Sequence, residues 1–292
     1  MTNRTPFVCV FTPDRWGQVD KFKQFFTSTY DLKPDARKAV AGVDNHFQKA
    51  LTLRRVAEKL APNLHLDNEE LAQKGFTAAL NSQEFSAVVE EVFTELYSSI
   101  DCVRKIVIAI YGNCRRVPDS TRKLFERAAR AEIGTDFPKE LLSALQEATW
   151  FNELLLLRDE LTHSTIGACH QREGSDKITY VHHGIRRNNN ALVIDDVFKK
   201  IDEFFEAINR FLGQVFHFLN ANLAATPVDV VCAFSFDRVY MRKATIAETI
   251  DFNSGTCVSH HWFDKEPVRR CPLADRCGAY GNAKRQGAPV LL

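Results

Sequence analysis

The chain has 292 residues, of which 45% are hydrophobic and 26% charged, and 38 basic against 37 acidic side chains leave a net charge of +1. That balance excludes a disordered chain and a strongly basic, salt-driven coat for nucleic acid. It leaves room for about two domains. The longest apolar runs are six residues, such as Ile106 to Tyr111, far short of the ~20 that a membrane-spanning helix needs. The apolar stretch Phe7 to Phe11 is too short for a secretory core of about 7–15 residues, and Asp14 and Arg15 follow it. The expectation is a cytoplasmic protein with no membrane partner.

In chain order, apolar positions Val40, Val43, Phe47 and Leu51 recur at helical spacing between Pro34 and Pro62, which predicts a helix over 35–60. Ser82 reads as the N-cap of a long helix ending at Gly112, with Phe85, Val88, Val92, Leu96, Ile100, Val103 and Val107 on its apolar face. Asp119 or Ser120 caps a shorter helix to about Ile133, closed by Gly134. Pro138 opens another to about Ala148, and Trp150 to Thr165 forms the next. From Lys177 to His183 the residues are alternating, β-branched and aromatic, which predicts a strand. Arg187 to Asn190 is a turn, and Ala191 to Ile194 returns as a second strand. Asp195 caps a long helix to about Leu223 whose phenylalanine stripe is core. The remainder holds a short apolar run, Val228 to Phe234, a modest helix near Val239 to Ile250, and an irregular tail.

The fold class expected is mainly α: a helical bundle with a small β-hairpin insertion and an irregular, Cys/His-rich C-terminal appendage. The divisions expected are an N-terminal helical extension (1–81), the bundle (82–223) and the appendage (224–292). The eight cysteines are dispersed, which is not the framework of a secreted disulfide protein.

The hexapeptide Arg158-Asp159-Glu160-Leu161-Thr162-His163 carries the clearest chemistry. Asp159 and His163 are four apart, so on a helix they share a face. The long stem of Arg158 brings a guanidinium to the same end. A cation, a carboxylate and an imidazole suit metal-free phosphodiester cleavage. The imidazole moves protons near neutrality, the guanidinium stabilises charge on phosphate, and Asp159 orients the imidazole. The plainer reading is a solvated helix face with ordinary ion pairs. His182 and His183 are neighbours on the expected strand and point to opposite faces. A basic cluster of Arg115, Arg116, Arg122, Lys123, Arg127 and Arg130 is suited to an RNA backbone.

A bundle with Arg-x4-His at the end of the helix before its final long helix resembles the HEPN superfamily. There the signature is Arg, four to six residues, then His, often with a polar residue directly after the arginine. Arg158, Asp159 and His163 match those positions, and the resemblance covers roughly 82–223. It implies a metal-independent endoribonuclease acting as a homodimer, with both histidines and arginines in one cleft. Such proteins are toxins, phage-defence effectors or RNA-processing factors. RNA, with tRNA anticodon loops as an accessible target, a second copy of the chain, and an antitoxin or defence protein are the partners implied. The alternative is a non-catalytic dimerisation or nucleotide- or partner-binding module.

No cofactor is expected for catalysis. In the tail, Cys257, His260, Cys271 and Cys277 give two pairs with spacings of two and five residues, separated by ten. This predicts a Cys3His structural zinc site, with His261 an alternative to His260. An iron–sulfur cluster would need Cys232 recruited as a fourth thiolate. A zinc-dependent enzyme built on the same tail is the third reading.

Overall fold

The structure of the protein is a computed structural model that describes residues 17–171, 174–187, 190–235, 237–247, 253–263 and 265–287. Phe7 to Phe11, Cys9, and Asn188 and Asn189 of the expected turn lie outside the described residues. The described chain is mostly helical, with two small three-stranded antiparallel sheets. Its backbone packs as two units: residues 33–214, and residues 17–32 with 215–287. These divisions fall elsewhere than at 81 and 223, because the helix expected over 35–60 packs with the bundle.

In the larger unit, α2 (Pro34–Leu60) lies along α4 (Leu80–Tyr111). Pro34 opens α2, where its missing N–H leaves no bond unmade. A Cβ on Gly42 would stand 2.6 Å from the Cys102 sulfur, so a glycine is what allows this close approach. Along the same pair, Glu95 is held by His46 Nδ1 at 2.6 Å and Lys49 Nζ at 2.6 Å.

Between them runs α3 (Leu64–Lys74), which ends on Gly75 in the left-handed region. Its buried Asp67 closes the start of α4. One carboxylate oxygen accepts from Asn81 N and Nδ2, the other from Ser82 N at 2.7 Å and Ser82 Oγ at 2.8 Å. Burial would raise the Asp67 pKa, but these bonds outweigh it and hold the carboxyl below its usual range. The helix therefore begins two residues before the expected N-cap. Ser82 donates to a cap supplied by another helix instead of capping the helix itself.

Next come α5 (Thr121–Ala129), α6 (Lys139–Glu147), α7 (Phe151–His163) and α8 (Val197–Ala221), whose residues to Gln214 belong to this unit. Phe125 stacks on Phe151 with ring centroids 3.7 Å apart, and Phe93 meets Phe204 edge-on at 5.9 Å. Phe204, Phe205 and Phe211 are buried, as expected of the stripe on the last long helix. The expected hairpin is a three-stranded sheet of β1 (Ala168–Gln171), β2 (Ile178–Arg187) and β3 (Asn190–Ile194), with β2 central. Cys169 pairs with Tyr180, and a register shift follows His182. His182 is fully buried and His183 exposed, as the alternation requires.

The smaller unit contains α1 (Gly17–Phe25), whose Phe22 meets Phe216 at 5.3 Å. Its sheet joins β4 (Val228–Ser235), β5 (Arg238–Ala244) and β6 (Thr256–Cys257). The helix expected near Val239 to Ile250 is thus a strand over its described residues up to Ala244. Tyr240, Arg242 and Ala244 are buried while Val239 and Lys243 are exposed, the period of two that a strand requires. The tail is not irregular throughout. After three short 3-10 turns, α9 (Gly278–Gly287) forms, and Ala233, Tyr240, Cys257, Phe263, Ala274, Tyr280 and Ala283 make a second core.

Candidate active site

The motif lies on the last two turns of α7. Leu154 and Leu157 are fully buried on one side of that helix, which turns Asp159 and His163 away from the core, while Arg158, one helical turn after Leu154, leaves at the edge of the buried face. Asp159 does not take up His163. Its Oδ1 accepts from Arg158 Nη1 at 3.0 Å and its Oδ2 from Arg122 Nη2 on α5, so one carboxylate clamps two guanidinium groups. The Arg158 guanidinium also lies over the Tyr97 ring of α4, 4.9 Å from its centroid. Burial, opposed by the nearby Arg158 charge, raises the Tyr97 phenol above its usual value.

Behind the clamp, Asp101 accepts from Thr121 Oγ1 and from Arg104 Nη2 at 2.8 Å. Burial works to raise this carboxyl, but Arg104 and Thr121 prevail and keep it below the ordinary range. Thr121 opens α5, so this bond fixes the helix that delivers Arg122. His163 ends α7 with its ring exposed, and among the described residues no hydrogen bond or ion pair engages it. Four residues at 1.5 Å each place it about 6 Å along the helix from Asp159, on the same face.

The helix end is fastened from below. Ser164 N donates to Glu160 O at 2.9 Å. Buried His182 donates through Nε2 to Thr165 O at 3.0 Å and accepts Ile185 N on Nδ1 at 3.3 Å, so both ring nitrogens are engaged. Glu90 of α4 accepts Gly167 N at 2.6 Å and Tyr180 Oη at 2.9 Å. A Cβ on Gly167 would meet the Tyr180 ring at 2.4 Å, so only glycine passes there. Burial raises the Glu90 carboxyl, against the pull of both hydrogen bonds. None of Glu90, Tyr97 or Tyr180 stands out in the sequence. Each sits at a helical or strand position that reads as core, and only the polar group at its tip distinguishes it.

Of the basic cluster, Arg115, Arg116, Arg122, Lys123 and Arg130 are exposed. Arg127 donates to the carbonyl of Arg116, and Arg115 N donates to Asp136, at 3.0 and 2.9 Å. Arg122 and Lys123 are on α5 itself, next to the clamp; Arg115 and Arg116 are on the turn before it.

In the tail, Cys257, Cys271 and Cys277 border one core, but the His260 ring turns its Nδ1 to the Cys257 carbonyl at 2.7 Å, and His261 does the same toward Val258 at 2.6 Å. Among the described residues, no three His, Cys, Asp or Glu side chains are gathered as a formed metal site, and no helix is long and apolar enough to cross a membrane. No family model, no curated protein and no solved structure matches the chain.

Proposed function

We propose that the chain is a metal-independent endoribonuclease of the HEPN-like type, with His163 moving protons and Arg158 and Arg122 stabilising phosphate. The observation that carries the reading is the clamp: one carboxylate holds two guanidinium groups a single helical turn from an exposed imidazole. Guanidinium pairs suit the two free oxygens of a phosphodiester. An imidazole with an open face can accept the ribose 2′-OH proton. The 2′-oxygen then attacks the adjacent phosphorus, and the 5′-oxygen leaves with a proton from the histidine of a second copy. The products are a 2′,3′-cyclic phosphate and a 5′-hydroxyl. Asp159 acts here as a positioning residue for the guanidinium groups, not for the imidazole. Exposed Arg115 and Arg116, on the turn before α5, and Lys123, on α5 itself, offer further positive charge to the RNA backbone.

The partners that go with this reading are RNA, a second copy of the chain, and a restraining or defence protein. The cell compartment is the cytoplasm, and the role is that of a toxin or defence effector. One observation favours the second reading, a non-catalytic module: among the described residues no carboxylate holds His163, which leaves the imidazole without an orienting partner there. The two separate in cells. Expression of wild type in a bacterial host should arrest growth and fragment cellular RNA, and His163→Ala expressed to the same level should do neither. Equal growth and intact RNA with both would favour the binding module.

A further inference from the structure

His163 has a neighbour on each flank of α7. At about 100° per residue, Asp159 stands about 40° around the helix from His163 on one side, and Glu160 about 60° around on the other. The Asp159 flank carries the clamp with Arg122 and Arg158. The Glu160 flank meets β2. There the register shifts between His182 and Arg186, so His183, Gly184 and Ile185 stand opposite no residue of β3. Extra residues of this kind bend a strand and re-aim its side chains, and they gather beside active sites.

The bulge lies directly against the end of α7. A Cβ on Gly184 would stand 2.4 Å from Glu160 Oε1 and 2.5 Å from Thr165 Oγ1. Thr165 Oγ1 donates to the same Glu160 oxygen at 3.3 Å. On the buried side, His182 joins the two segments, through Nε2 to Thr165 O at 3.0 Å and through Nδ1 from Ile185 N at 3.3 Å. The Ile185 side chain is buried and anchors the bulge in the core. Glu160, the carboxylate that faces the bulge, has its Oε1 turned onto Gly184 and Thr165.

What the bulge presents to solvent is a guanidinium and an imidazole. His183 and Arg186 are both exposed. Among the described residues, no hydrogen bond, ion pair or ring contact engages either side chain. Arg122 and Arg158 on the other flank are each held by Asp159. Donor groups therefore stand on both sides of His163, fixed on one flank by the clamp and on the other by the backbone of the bulge.

We infer that His183 and Arg186 form a second phosphate subsite, which takes the phosphate next along an RNA strand whose scissile phosphate lies at the Arg122–Arg158 clamp. The inference rests on the ribonuclease reading for the place of that scissile phosphate. Arg186 supplies a planar guanidinium that matches two phosphate oxygens. His183 supplies an imidazole N–H. The strand crosses the end of α7 from clamp to bulge, and the bond to be cut passes over His163. The substrate class is thereby an RNA strand with at least two consecutive phosphates, and a dinucleotide with a single phosphate fills only half of the site.

The test measures binding of the full chain to 2′-O-methyl oligonucleotides, which lack the attacking hydroxyl and stay intact. The probes are a dinucleotide with one phosphate and a trinucleotide with two, each carrying a dye attached without a further phosphate, and binding is read by fluorescence anisotropy at low salt. Wild type should bind the two-phosphate probe about 10-fold more tightly or better. Arg186→Ala should erase that gain and leave the one-phosphate probe unchanged, and His183→Ala should reduce the gain. Should Arg186→Ala melt below wild type, Arg186→Gln, which keeps the stem, takes its place. Equal affinity of wild type for the two probes, or a gain that the Arg186 variant retains, overturns the subsite. Cleavage of unmodified RNA separates this result from the reading beneath it. A two-phosphate gain that depends on Arg186, without cleavage, keeps the subsite and removes the ribonuclease. Cleavage with no difference between the probes keeps the ribonuclease and removes the subsite.

Discussion

Glu90 is the point at which the bundle fastens the end of α7, and two substitutions there separate its charge from its hydrogen bonds. The residue is 9% exposed, and its Oε1 serves two donors, Gly167 N at 2.6 Å and the Oη of fully buried Tyr180 at 2.9 Å. Glu90→Ala leaves both donors without that acceptor. At about 1–3 kcal/mol for each unsatisfied buried group, the loss should be about 2–6 kcal/mol. Glu90→Gln keeps a carbonyl oxygen in place and removes a buried charge, so its cost at neutral pH should be under about 1 kcal/mol.

The two also differ in pH dependence. Burial raises the folded-state pKa of Glu90 above its ordinary 4.5. The stability linked to this group is therefore complete below that ordinary value and is lost as pH rises through the raised folded value. Wild type should lose ground to Glu90→Gln between acidic and neutral pH. Urea unfolding followed by far-UV circular dichroism across that range measures the difference. A Glu90→Ala loss below about 1 kcal/mol, or a wild type that gains on Glu90→Gln as pH rises, would refute the reasoning.

Asp67→Ala should remove the cap from α4 and cost about 1–3 kcal/mol. Because hydrogen bonds hold its carboxyl below the ordinary 3.8, its contribution is present above that value and fades as pH falls toward the lowered one. Wild type and Asp67→Ala should thus converge in acid-unfolding titrations. Gly42→Ala drives a methyl into the Cys102 sulfur, 2.6 Å away, and should destabilise by about 1–3 kcal/mol. Cys102→Ala in the same chain should recover most of that, and a double-mutant cycle by urea unfolding with no coupling would contradict the packing. Arg122→Ala breaks an exposed pair and should cost under about 1 kcal/mol in stability. In RNA cleavage it should lower kcat/KM by about 10-fold or more, and a wild-type rate would remove Arg122 from the site.

Helices were legible where hydropathy and spacing agree. Val40, Val43 and Phe47, or Ile201, Phe204 and Ile208, bury the face that the sequence marks as apolar, and the structure puts them there. The strand β5 was hidden because its polarity is inverted: Arg242 faces in and Val239 out. Hydropathy therefore masked an alternation that burial reveals. The cap of α4 was missed for another reason. A serine at a helix start normally caps its own helix, but Asp67 arrives from 15 residues upstream to do so. Within the motif, helical spacing predicted that Asp159 and His163 share a face, which they do. It could not foresee that Arg122, from a different helix, would claim the carboxylate first.

The central claim is that His163 performs metal-free RNA cleavage beside the Asp159 clamp. Its most direct test is the cleavage of end-labelled RNA by purified wild type and His163→Ala, both in EDTA, with analysis of the product ends. The account predicts 2′,3′-cyclic phosphate and 5′-hydroxyl ends from wild type, and a rate at least 100-fold lower for the variant at equal thermal stability. Equal rates for the two proteins, or activity that EDTA abolishes, would contradict it.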